Sequence, residues 1–164
     1  MTLSQQAAIM LEALEHELLR VDSIVRWADS AIVAADKPES WLIELSTLNP
    51  SHITDFVTIL RAHADESLPL RWRVQIIVLA YDAGLLSLPV SLRRLFTILF
   101  IERKGVKKDS SDQRLADALV EWDCLELDVI APPLLARFET LFRSYLADAH
   151  EVSSLLHLKH EAVA

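Results

Sequence analysis

Apolar residues recur three and four positions apart along most of this chain, the spacing that lines one face of an α-helix. The first run is Ala7, Leu11, Leu14, Leu18, Val21, Val25, Ala28, Ile32 and Ala35. It predicts a helix from about Ser4 to Arg20 and another from about Asp22 to Ala35, with Asp22 or Ser23 capping the restart, or one long helix in their place. Asp36, Lys37 and Pro38 then read as the N-cap and early proline of a short helix carrying Trp41, Leu42, Leu45 and Leu48. Asn49, Pro50 and Ser51 punctuate the chain again, before a stripe of Ile53, Phe56, Val57 and Leu60 that runs to about Ala64.

Pro69 opens a segment that is apolar on nearly every side from Val74 to Tyr81 and ends near Gly84. Its Val74, Ile76, Ile77 and Val78 are β-branched and would suit a buried strand. A lone strand has nothing to pair with, so the segment is read as a central, buried helix. Pro89 starts the next helix, with Leu92, Leu95, Phe96, Leu99 and Phe100 inward and Gly105 past its end. Ser110 or Ser111 caps a helix bearing Leu115, Leu119, Trp122 and Leu125, after which Ala131, Pro132 and Pro133 break the chain. A long last helix buries Leu134, Phe138, Leu141, Phe142, Tyr145 and Ala149, while Val152, Leu155 and Leu156 extend it or form a separate terminal turn.

Composition agrees with helix throughout: 29 Leu and 19 Ala among 164 residues, with only two Gly. The expected fold is all-α, an irregular bundle or short solenoid-like stack of about seven or eight helices. We expect a single domain over residues 1–164, at most a small two-lobed one, with 150–164 as a frayed tail. The mean hydropathy of +0.26 calls for a generous core or an apolar face covered in an oligomer, and the long amino-terminal stripe leaves a homodimer open. The longest apolar runs are far short of the roughly 20 residues that span a bilayer, so no membrane association is expected. One cysteine, Cys124, and the absence of a basic residue before Arg20 point to the cytoplasm.

Charge is distributed in thirds. Residues 1–66 hold 11 acids and 4 bases, residues 67–108 hold 2 acids and 8 bases, and residues 109–164 again hold 11 and 4. The basic middle comprises Arg71, Arg73, Arg93, Arg94, Arg103, Lys104, Lys107 and Lys108, with Trp72 between two arginines. Its simplest use is pairing with the acidic flanks inside the monomer. Its functional use is a partner- or anion-binding patch made of those eight residues and Trp72. Nucleic acid is not the expected partner, because the chain carries a net charge of −8 and the helix after Lys108 is acidic.

Candidate chemistry is sparse. Cys124 lies beside Asp123 and near Glu126, which disfavour a thiolate. His157 and His160 share a helix face, with His150 two turns earlier, a spacing that permits metal but is equally served by the helix dipole; no metal or cofactor is expected. Glu15, His16 and Glu17 are consecutive and point apart, as on a solvated face. Trp27, Trp41, Trp72 and Trp122 read as core anchors, with Trp72 the one to watch. The group Asp36, Pro38, Glu39, Trp41 and Glu44 is explained by capping, with a partner-binding edge as the alternative. The chain is therefore expected to be a non-enzymatic protein-interaction module, an adaptor, regulator or inhibitor, resembling an immunity protein or antitoxin in electrostatic logic alone. The alternative is an enzyme, or a small-ligand or phosphate binder, with its site around the basic middle helices and with His52 or His63 contributing.

Overall fold

Helix α1 (Leu3–Glu15) begins where Thr2 and Gln5 cap one another: the Thr2 hydroxyl accepts from the Gln5 amide at 3.2 Å, and the Thr2 amide donates to Gln5 Oε1 at 2.9 Å. It ends five residues before the position its apolar stripe suggests. The Glu17 amide donates to Leu14 O and the Leu18 amide to Ala13 O, a Schellman turn that holds Glu17 at φ 59°. Helix α2 (Val21–Ala34) starts from Arg20, which provides no side-chain cap; Asp22 sits in the first turn instead. Helix α2 buries Val21, Ile24, Trp27 and Ala28, so Val21 and Ala28 of the expected stripe are inside while Val25 and Ile32 are half-buried.

The computed structural model describes residues 1–65, 68–101, 111–124 and 130–156. Among these it is all-helical, as the periodicity predicts, with nine α-helices and one π-helical turn and no strand. The expected features at Gly105, Ser110, Leu125 and the terminal pair His157 and His160 lie outside the described residues. Helix α3 (Ser40–Thr47) begins later than Asp36 predicts, with Glu39 at the N-cap. Lys37 precedes a proline, which disfavours helical backbone at that residue, so the helix forms only beyond Pro38. Helix α4 (Ile53–His63) follows the Asn49, Pro50, Ser51 turn.

The chain divides into two compact units, the first containing Met1–Leu68 and the second Pro69–Ser153, with α9 (His150–Leu156) contributing residues to each. In the first, α1 packs on α4, α2 on α3, and α3 meets α4. Side chains tie these pairs together: Trp27 Nε1 donates to Gln6 Oε1 at 2.9 Å, Arg61 pairs with Glu15 at 2.5 Å, and Ser46 donates to Asp29.

In the second unit, α5 (Leu70–Asp82), α6 (Leu88–Phe96), α7 (Ser111–Cys124) and α8 (Pro132–Leu146) each pack on the next, and α8 returns to α5. The π-helical turn Thr97–Ile101 continues α6 and brings Ile98 and Leu99 inward. Their shared core combines Val74, Ile77 and Val78 with Leu92, Leu95, Leu115 and Leu119, and with Phe138, Phe142 and Tyr145 of α8. Helix α5 is buried at every position from Arg73 to Ala80, the surroundings expected of a helix apolar on all sides. It closes with a second Schellman turn in which Gly84 takes φ 70°.

Candidate functional site

The basic residues singled out in the middle of the chain have different surroundings. Arg71 Nη2 meets Asp148 Oδ2 at 2.5 Å, and the guanidinium lies 5.5 Å from the centre of the Tyr145 ring. Tyr145 in turn donates its hydroxyl to Asp112 at 2.6 Å. Arg71 is thus matched to a carboxylate within its own unit. Arg73, two residues along α5 and so directed elsewhere, is buried and has interactions of its own. Trp72 is half-buried, Arg93 exposed, and Arg94 half-buried and engaged. Arg103, Lys104, Lys107 and Lys108 lie outside the described residues.

The first unit carries two open grooves. The larger, about 590 Å³, runs between the α1–α2 turn and the start of α4. Its apolar lining is Leu14, Leu19, Val21, Pro50, Ile53 and Val57. Its charged lining is Glu15, Glu17 and Asp22 against Arg20, a net of −2. Local sequence explains this layout. The Schellman turn projects Glu17 and Arg20 from the short link between the helices, and Asp22 occupies the first turn of α2, where a carboxylate complements the helix dipole. Ile53, expected inside with Phe56 and Leu60, is instead 54% exposed at the first position of α4. Glu15 is paired with Arg61, while Glu17 and Asp22 are exposed.

A smaller groove of about 460 Å³ crosses α2 and the start of α3, floored by Trp27, Ala31 and Leu42, with Lys37 and Glu39 at its margin. Glu39 accepts from Trp41 Nε1 at 2.6 Å, so the cluster read from the sequence as a cap is held by an indole. Trp41 is buried between Trp27, with ring centres 6.0 Å apart, and the exposed His63, which stacks on it at 4.7 Å and 8°.

Neither groove is lined by a His or a Cys, and the larger has no hydroxyl side chain; its ionisable lining is three carboxylates and one guanidinium. Among the described residues no group of three or more His, Cys, Asp and Glu is placed to hold a metal ion, and no helix is long and apolar enough to cross a membrane. What the larger groove offers is apolar area next to two exposed carboxylates, Glu17 and Asp22, with Arg20 between them in sequence. Sequence reasoning missed it because Ile53 fits the buried stripe by spacing and Glu17 fits a solvated face; the one available signal was the Asn49, Pro50, Ser51 punctuation, which puts Ile53 at a helix start. Comparisons of the chain with protein-family models, with curated proteins and with solved structures each find no match.

Proposed function

We propose that this chain is a non-enzymatic interaction module, an adaptor, regulator or inhibitor, that binds another protein through its acidic first unit. The observation that carries the proposal is the open groove beside the α1–α2 turn, with its exposed Ile53 and its excess of carboxylate. It belongs to a unit holding 11 acids and 4 bases, a net of −7. A surface of that sign attracts a basic protein and repels nucleic acid and anionic metabolites. Covering a basic enzyme, as an immunity protein or antitoxin does, is one form such binding takes. Cytoplasmic residence, in keeping with the single cysteine, is part of the proposal. The alternative, an anion or substrate site on α5 and α6, draws less support because Arg71 is already matched to Asp148 and Arg73 is buried.

The test is a crosslinked, nuclease-treated pull-down with the tagged full chain at low and at moderate salt. One stoichiometric basic partner, weakened by salt and by charge reversal at Glu17 and Asp22, is the expected result. Recovery of the bait alone under both conditions would defeat a stable protein partner.

A further inference from the structure

The larger groove specifies more than a charge preference. Its floor presents an aliphatic surface that the chain itself leaves open, with Ile53 half exposed and Leu19 and Val57 half-buried. Isolated exposed aliphatics are ordinary, but here they adjoin one another in a concavity of about 590 Å³. That volume falls in the range of side-chain and ligand pockets, far too small for a duplex. Every charged group on its lining is accounted for. Glu15 is held by Arg61, Arg20 is the single cation, and Glu17 and Asp22 remain exposed.

An apolar side chain alone would leave these carboxylates facing it, which costs affinity once water is displaced. An anion would be repelled. A cationic group carried next to an apolar one satisfies both parts of the groove, and on a helix such neighbours lie three or four residues apart. We infer that the groove between the α1–α2 turn and α4 seats a partner protein's cationic amphipathic segment, its apolar side chain on Leu19, Ile53 and Val57 and an adjacent Lys or Arg at Glu17 and Asp22. This rests on the reading of the first unit as a protein-binding surface and adds where and what it binds.

The competing occupant is a second copy of this chain, whose α6 carries exposed Val90 three residues before exposed Arg93. Charge complementarity at that one contact allows it, but two copies each carry a net charge of −8, which opposes their approach while drawing in a separate basic protein. A separate protein is therefore the occupant assigned.

The full chain, labelled with nitrogen-15, is titrated with a synthetic amphipathic peptide bearing Leu on one face and Arg on the other, and with a control in which Glu replaces Arg. The Arg peptide is expected to shift amides of residues 19–23 and 53–57. Its affinity, read by fluorescence anisotropy, is expected to fall about tenfold or more in Ile53→Asp and in Glu17→Lys with Asp22→Lys, with the Glu peptide not binding. All three positions are exposed, and circular dichroism is the check that the variants fold. No binding of the Arg peptide, or unchanged affinity in both variants, overturns the inference. Shifts confined to the Trp27 groove overturn it while leaving a protein-binding first unit intact. A self-associated species in sedimentation velocity that Ile53→Asp dissolves overturns it in favour of a second copy. Loss of peptide binding together with a bait-only pull-down removes both readings.

Discussion

Glu17 and Gly84 perform the same task at the ends of α1 and α5, one at φ 59° and the other at φ 70°. Glycine reaches this region freely, whereas a Cβ costs about 1 kcal/mol there. Glu17→Gly should therefore stabilise the protein by about 1 kcal/mol, read as a higher urea midpoint at unchanged slope. Gly84→Ala should destabilise it by about as much, even though a Cβ at Gly84 would meet nothing within 4 Å, because the dihedral and not the surroundings sets the cost. If Glu17 contributes to the proposed groove, the same Glu17→Gly change weakens cationic peptide binding while raising stability. Tyr145 is a second informative residue. It is fully buried, its hydroxyl reaches Asp112, and its carbonyl receives Gln75 Nε2 at 3.2 Å, so a side chain from α5 caps a carbonyl in the last turn of α8. Tyr145→Phe removes a bond to a carboxylate and should cost about 2 kcal/mol in chemical denaturation. A cost indistinguishable from zero would mean that Asp112 is as well served by water.

At the level of elements, α8 shows what sequence spacing conveys best. Leu134, Phe138, Leu141, Phe142 and Tyr145 are expected inside and are buried, since a long helix with a single apolar stripe has one way to face a core. Phe138→Ala at the centre of that stripe should cost about 3–5 kcal/mol, as a ring-sized cavity forms among Leu115, Leu119 and Phe142. Helix α5 is legible for another reason. Its β-branched run has poor helix propensity, yet burial on every side outweighs the few tenths of a kcal/mol that each residue loses. The α1–α2 junction is where spacing misleads. A restart near Asp22 is expected and found, but the stripe carries α1 to Arg20, five residues too far, because Glu17 occupies a position where sequence cues lead one to look for glycine. The start of α3 is misread because a proline's effect on its predecessor outweighs the capping preference of Asp36. The candidate groove depends on where α1 ends and on an exposed Ile53, neither of which periodicity supplies. The basic middle was legible as composition, yet Arg71 finds its carboxylate at Asp148, 77 positions away, and no local pattern announces such a pairing.

Across the whole molecule, the first unit's net −7 is nearly the chain's total of −8. Binding through that unit should weaken steeply with ionic strength, whereas screening the exposed Arg61–Glu15 pair should change stability little. The tryptophans are divided as well. Trp27 and Trp41 belong to the first unit, buried and close enough for their indole transitions to couple, while Trp72 and Trp122 of the second are half-buried. Near-ultraviolet circular dichroism should therefore be dominated by the coupled pair, and Trp41→Phe should remove most of it with little change in helix content. The same chain would then report on itself in two colours during heating. The far-ultraviolet signal follows all its helices, and the indole couplet follows the packing of the first four alone, so any gap between the two melting curves measures how independently the acidic half comes apart.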